Sequence, residues 1–398
     1  MVSLYQQQLE QELQQRKNNA LYRSRLLTES PSGPEIVVEG ERLLAFNSND
    51  YLGLANHPEL KKAFISGVEK WGVGSGSAHL VTGHTAAHHQ LEEELAAFTG
   101  RERSLLFSSG YMANLAMVTA LTDKSDHVFE DRLNHASLID AGNLAAARMH
   151  RYQHADTASL QRMLERVEAG KRMIVTDGVF SMDGDVAPLK ELSEVAQDNK
   201  TLLAVDDAHG FGVLGETGAG SIEQAGLLSH QVPVLMGTLG KAMGCAGAFI
   251  AADEVIIETL IQQARSYIYT TAQPAAIATA ASAALKLFAT EAWRREKLAS
   301  LVERFKQGAS QLGLSLMDSS TAIQPLLAGS SQQAVSWSQQ LRQQGILVTA
   351  IRPPTVPKNT ARLRITFSAA HTEEQVDRLL EALGQLNQSD LNRDEVHA

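Results

Sequence analysis

Cysteine is all but missing from this chain: Cys245 stands alone among 398 residues. A lone thiol excludes an intrachain disulfide framework and suits a reducing, cytoplasmic compartment. Long apolar runs are missing as well, and no stretch approaches the ~20 residues that span a membrane. The opening M-V-S-L-Y-Q-Q-Q-L-E-Q-E-L has neither the apolar core of a secretory leader nor the Arg/Ser bias of a transit peptide, so no leader is expected. Positive charge is in deficit. The formal net charge of −10 argues against nucleic acid and against a basic membrane-binding face. There is no internal repeat, and the Gln-rich start is the one biased segment.

What is present reads as two or three domains, from length alone. Residues 3–25 carry Leu4, Leu9, Leu13 and Leu21 at helical spacing and predict a helical arm that ends near Pro31, Gly33 and Pro34. From Arg103 to about Ala251, short apolar runs (S-L-L-F, H-V-F, R-M-I-V-T, T-L-L-A-V, V-P-V-L-M-G, A-G-A-F-I-A) alternate with helix-length segments. Near-continuous apolar runs are the signature of parallel strands covered on both faces. The helical candidates between them are Asn134–Arg148, Ser159–Glu168 and Pro188–Lys200. The alternation implies a doubly wound α/β domain, whose ligands bind beyond the carboxyl ends of the strands. An Ala-rich helix then leads into a smaller α/β domain with strands in I-L-V-T-A-I and A-R-L-R-I-T-F and a closing helix, E-E-Q-V-D-R-L-L-E-A-L. The expected division is 1–46 for the arm, 47–275 for the large domain and 276–398 for the small one.

Three features together carry chemistry. The strand T-L-L-A-V-D-D-A-H-G delivers Asp206, Asp207 and His209 to the sheet edge. Alone, the acidic pair reads as a helix cap or a solvated turn. Lys241, in G-T-L-G-K-A-M-G-C-A-G, follows a later strand among Gly240, Gly244 and Gly247. Alone it reads as a turn lysine; in a tight apolar setting, desolvation makes it an amine nucleophile. The third is S-L-L-F-S-S-G-Y-M-A-N-L-A, a strand running through Ser109 into a helix start at Gly110 and Tyr111. An acid for a pyridine nitrogen, an amine for a Schiff base and a helix N-terminus for a phosphate are the needs of pyridoxal 5'-phosphate.

The strings N-S-N-D-Y-L-G-L (47–54), D-G-V-F-S-M-D-G-D (177–185), V-D-D-A-H-G (205–210) and G-T-L-G-K (237–241) resemble the α-oxoamine synthase family, fold-type I pyridoxal-phosphate enzymes. The resemblance runs from the arm past Arg364. It implies a large domain with a mostly parallel seven-stranded sheet, a smaller C-terminal α/β domain, and a homodimer with shared active sites. It implies that Lys241 holds the cofactor and moves protons, Asp206 pairs with the ring nitrogen, and His209 bonds the ring's phenolic oxygen. His135 would stack on the ring, Gly110 and Tyr111 would take the phosphate, and Ser181 and Thr238 would support the cofactor. Thr270 and Thr271 would reach the neighbouring subunit's phosphate. Asn49 and Arg364 would hold the amino-acid carboxylate, with Arg23, Arg352 and Thr355 on the acyl side. Within the family, A-I-R-P-P-T-V-P (350–357) most resembles members that are acyltransferases joining L-alanine to a pimeloyl thioester of carrier protein or coenzyme A. The rival is a sister enzyme using glycine and a short acyl-CoA. Asp177 stands where relatives usually have Glu, which shortens its reach, and His79 is given no role.

Other signals carry less. G-V-G-S-G-S (72–77) imitates a dinucleotide fingerprint but follows a helix-like segment, which weighs against a hydride-transferring oxidoreductase. The intact Lys241, Asp206 and His209 weigh against a non-catalytic carrier-binding protein. His84, His88 and His89 include a metal-compatible i, i+4 pair, but without cysteine and beside Glu92, Glu93 and Glu94 they read as a solvated or capping face, and no metal is expected. Trp71, Trp293 and Trp337 read as packing residues.

Overall fold

The structure is a computed structural model that describes residues 3–19, 21–167 and 169–396, with the side chains of 387–396 left aside. Ala20, inside the expected arm, and Glu168, at the end of an expected helix, lie outside the described residues, as do the first two and last two positions. The chain divides into two compact units. One comprises Asn49–Ser181 and Asp185–Leu298, the other Met1–Ser48, Met182–Gly184 and Ala299–Ala398.

The larger unit is built on seven strands: β1 (Arg103–Phe107), β2 (His127–Asp131), β3 (Arg148–Tyr152), β4 (Arg172–Asp177), β5 (Leu202–Asp206), β6 (Val234–Thr238) and β7 (Ala248–Ala252). Their order is β1-β7-β6-β5-β4-β2-β3, parallel from β6 to β3, with β7 antiparallel to both its neighbours. The strands of the sheet interior are buried along nearly their whole length, which is why they read as unbroken apolar runs. β3 escaped the sequence pattern. Its R-M-H-R-Y lies at the sheet edge, where burial on both faces is not required, and the helix expected over Asn134–Arg148 stops at Leu144 to make room for it. The other two helices run Thr157–Leu164 and Leu189–Asp198.

The Ala-rich helix, Ala275–Thr290, belongs to this unit rather than to the C-terminal one. The reason is steric. It packs on the helix Pro58–Trp71 so closely that a Cβ on Gly67 would stand 2.8 Å from Ala276 Cα. Small residues on both sides permit that approach, and the expected boundary at 276 would cut through it.

In the other unit the helix Leu4–Asn18 is shorter than the expected 3–25, and Leu4, Leu9 and Leu13 on it are exposed. The strand Glu41–Ala45 pairs with Glu35–Val38 and, in parallel, with Ile346–Leu347. The chain's start is therefore joined by backbone hydrogen bonds to its C-terminal part instead of standing as a separate segment. A second antiparallel sheet sets Ala361–Thr366 between Ile323–Gly329 and Thr349–Ile351. Among the described residues, no helix is long and apolar enough to cross a membrane.

Candidate active site

At the carboxyl edge of the large sheet, β4 ends on Asp177 and β5 on Asp206, directly opposite each other in register. Beyond β6 the chain turns sharply and presents Lys241. Gly244 makes the turn possible, with φ +65° and with Ala55 N only 2.4 Å from where a Cβ would sit. Across the edge, Ser109 caps the helix Gly110–Leu121 by accepting Met112 N–H at 3.3 Å. The first N–H groups of that helix have no intrahelical acceptor, which suits an anion.

These elements enclose a cavity of about 180 Å³. Gly110, Tyr111, His135, Asp206, His209, Thr238 and Lys241 line it, and so do Asn114, Ser137 and Asp177. Lys241 Nζ lies 2.7 Å from His209 Nε2, and His209 Nδ1 lies 2.6 Å from Tyr51 Oη. Tyr51 donates onward to Asn49 Oδ1 at 3.2 Å. With that proton committed to Asn49, the consistent arrangement has His209 donating from Nδ1 to Tyr51 and accepting from Lys241 at Nε2. The lysine is thus aimed by a histidine whose tautomer a buried tyrosine sets.

Asp206 is buried and accepts two N–H donors, Ala208 N at 2.9 Å and Asn114 Nδ2 at 2.6 Å. Asn114 also donates to Ser137 Oγ at 2.8 Å, and its own Oδ1 is a buried acceptor without a partner among the described residues. His135 caps the helix Ala136–Leu144 through Ser137, with Nδ1 2.7 Å from Ser137 Oγ, while its N–H donates to Asp177 Oδ2 at 2.6 Å. Desolvation lowers the His135 pKa, with Asp206 opposing. Desolvation first, and the Asp206 charge second, push Asp177 well above the ordinary carboxyl range. Burial thus favours the protonated form of one acid of the register pair, while the other accepts donors on both oxygens.

Apart from Thr238, which lines the cavity, the remaining expected residues lie elsewhere. Ser181 is half-buried just past β4 and does not line the cavity. Thr238 Oγ1 donates to Gly247 O at 3.0 Å. Thr270 is half-buried and Thr271 exposed, on the non-helical stretch before the Ala-rich helix. In the other unit, Arg364 is buried on the strand Ala361–Thr366. Arg23 donates to Thr355 Oγ1 at 3.2 Å and is close enough to Arg352 to lower its pKa, after burial. Those three residues, distant in sequence, are neighbours. Sequence reasoning gave no role to Tyr51, Asn114 or Ser137. Tyr51 sits inside the quoted N-S-N-D-Y-L-G-L string, and Asn114 could have been noticed as a polar residue on the buried face of an apolar helix.

The residues fit pyridoxal phosphate: a fixed carboxylate, an amine held at short range from an imidazole, and a capped helix start converge on one cavity, beside a buried amide oxygen awaiting a donor. The family model for aminotransferase class I and II matches residues 41–383. Curated relatives include an 8-amino-7-oxononanoate synthase of Thioalkalivibrio sulfidiphilus, 61% identical over 94% of this chain and 96% of its own, and that of Nitrosococcus oceani, 60% identical over 94% and 100%. Among solved structures, a serine palmitoyltransferase of S. paucimobilis with a bound PLP–myriocin aldimine superposes with TM-score 0.92 at 28% identity, covering 97% of this chain and 99% of that one. An 8-amino-7-oxononanoate synthase of Francisella tularensis superposes with TM-score 0.77 at 34% identity, covering 88% and 99%. With a site of this chemistry on a fold of this class, and identity at that level over nearly its full length, the chain belongs to the 8-amino-7-oxononanoate synthase family of fold-type I enzymes.

Proposed function

We propose that the protein condenses L-alanine with a pimeloyl thioester, carried on acyl carrier protein or coenzyme A, to give 8-amino-7-oxononanoate, CO2 and the free thiol for biotin synthesis. The observation that carries this reading is the convergence of Asp206, Lys241 and the Gly110 helix start on one cavity. Bound pyridoxal phosphate supplies the electron sink for a carbanion at the amino acid's α-carbon. Asp206, oriented by Asn114 and Ala208, keeps the ring nitrogen protonated. His135 would lie against the ring, Gly110 and Tyr111 would take the phosphate, and Thr238 would support it, with Ser181, off the cavity lining, assigned to the cofactor through the resemblance alone. Lys241 holds the cofactor and then moves the proton at the α-carbon, its amine directed by His209 and Tyr51. Asn49 and Arg364 are assigned to the α-carboxylate, for which a guanidinium fork is matched in shape. Arg23, Arg352 and Thr355 are assigned to the acyl group, and their mutual proximity supports a shared task. Thr270 and Thr271 serve the phosphate of a second copy, making the protein a cytoplasmic homodimer.

The test is substrate competition with purified enzyme loaded with pyridoxal phosphate. Turnover of L-alanine with pimeloyl thioester should exceed that of glycine with acetyl or succinyl thioester. Arg352→Ala should raise the KM for the acyl substrate more than that for alanine. Equal or faster turnover of glycine with a short acyl thioester would overturn the substrate assignment.

A further inference from the structure

On the larger unit, outside the Lys241 cavity, four histidines crowd around one turn. His79 opens the turn His79–Gly83, His84 follows it, and His88 and His89 stand in the first turns of the helix Ala86–Phe98. His79 Nδ1 and His84 Nδ1 are 3.0 Å apart. Tetrahedral zinc with Zn–N bonds of ~2.0–2.1 Å places two imidazole nitrogens about 3.3 Å apart, so this pair is nearly set for a shared ion. One ligand atom each from His79, His84 and His88 lies within 4.8 Å of the others.

The surroundings are built as metal sites are. The His79 ring stacks on Tyr267, 5.1 Å between centroids and 13° between planes, which fixes its direction. The two Nδ1 atoms share one hydrogen bond, whose proton must leave for both lone pairs to face an ion. His84 Nε2, on the far side of its ring, faces Glu92 Oε2 at 3.8 Å, and Glu92 is itself held by Leu106 N–H at 2.9 Å. Glu92 stands where such centres carry an outer support, at a distance beyond a direct hydrogen bond. His88 Nε2 donates to Gln273 O at 2.9 Å, which leaves Nδ1 as its lone-pair nitrogen. That atom now accepts Thr85 N–H at 3.1 Å, a bond it would exchange for the ion. His88 is thus a cap, one of the two roles its sequence suggested, but it is fully buried, and the solvated-face reading fails for it. His84, with 28% of its side chain exposed, provides the way in.

We propose that His79, His84 and His88 form a binding site for one divalent transition-metal ion of the zinc class, independent of the cofactor cavity. Borderline-soft ions favour imidazole donors, so Zn²⁺, Co²⁺ and Ni²⁺ should bind and Mg²⁺ should not.

The test uses the cofactor-loaded enzyme, free of any histidine tag, stripped with a chelator and titrated with Zn²⁺ by calorimetry and with Co²⁺ by visible absorbance. One ion per chain is expected, and the melting temperature should rise with Zn²⁺. His84→Gln and, separately, His79→Asn should weaken binding more than about 100-fold, beyond the roughly 10–100-fold expected when the outer support is removed in Glu92→Gln. Unchanged cofactor absorbance in each variant confirms its fold. His89→Ala and Lys241→Ala should keep wild-type binding, because neither residue is a ligand here and an ion held by the cofactor would respond to the latter. The proposal is overturned if the wild type takes up no ion stoichiometrically or if His84→Gln binds normally. It is also overturned if His89→Ala alone abolishes binding, which would move the ion to the His84, His89 and Glu92 group.

Discussion

Asn114→Ala is the substitution whose cost follows most directly from the geometry. Its amide donates to Asp206 Oδ2 at 2.6 Å in a place where Asp206 is 3% exposed. A hydrogen bond to a charged group contributes about 1.5–3 kcal/mol, and a buried acceptor stripped of its donor bears the whole desolvation cost. The truncation also removes the bond to Ser137, so the single variant mixes two effects. A double-mutant cycle with Asp206→Ala separates them, read by urea unfolding of the cofactor-free protein. The coupling between positions 114 and 206 should be about 1.5–3 kcal/mol. Ser137→Ala, which keeps the Asn114–Asp206 bond, should not reproduce it. Cofactor affinity should fall about 2- to 12-fold in Asn114→Ala, since a carboxylate released from one anchor must be ordered again on binding, at about 0.5–1.5 kcal/mol. A coupling below about 0.5 kcal/mol would refute the idea that Asn114 orients Asp206.

Two further outcomes follow from charge. Burial and the charge on Asp206 raise the Asp177 pKa and favour its protonated form, so the uncharged Asp177→Asn should still bind cofactor and should unfold within about 1 kcal/mol of wild type at pH 7. The raised value means that wild-type stability declines as pH climbs from about 4 through the folded pKa, and the Asn variant should lack this decline. Cofactor loss as severe as that of Asp206→Asn would sink the assignment. His154 is held by Asp131 at 3.0 Å and Asp185 at 2.9 Å, and these bonds, working against desolvation, raise it to about 10. Its folded value lies above the unfolded ~6.5, so its contribution is complete below that pH and fades as pH rises toward 10. With the ring partly in solvent, about 1–3 kcal/mol is expected. Unfolding free energies from urea titrations at pH 6.5 and 9.5 should differ by that much in the wild type and much less in His154→Ala.

The parts of the molecule written most plainly in the sequence are those where burial leaves little choice. β4 to β7 sit inside the sheet and must be apolar on both faces, and the acids at their ends had to lie at the ligand edge. β3 was hidden because an edge strand may keep Arg148, His150 and Arg151. The Ala-rich helix was legible as a helix, but its partner depends on Gly67 some two hundred residues earlier, a pairing no local pattern contains. The same holds inside the site. Lys241 and Asp206 announce themselves by residue type and position, whereas Tyr51 and Asn114 matter through what they touch. Leu4, Leu9 and Leu13 mislead in the opposite sense: their spacing is helical, and the helix forms, yet it buries none of them within the chain.

The acids at the sheet edge explain how one cavity can keep a single fixed negative charge. β2, β4 and β5 end on Asp131, Asp177 and Asp206, and Asp207 follows at once. Left ionised together in a low-dielectric edge, they would repel one another and any anion brought to the Gly110 helix start. The fold answers each differently. Asp131 is paired with His154, while burial and the charge on Asp206 raise the Asp177 pKa well above the ordinary carboxyl range. Burial likewise lifts Asp207 to about 7, against the hydrogen bonds from Ser221. Asp206 alone among these acids both lines the cavity and takes N–H donors on each oxygen. On the proposed assignment a protonated ring nitrogen would meet Asp206 there, and the raised pKa of Asp177 beside it favours the uncharged form of that neighbour.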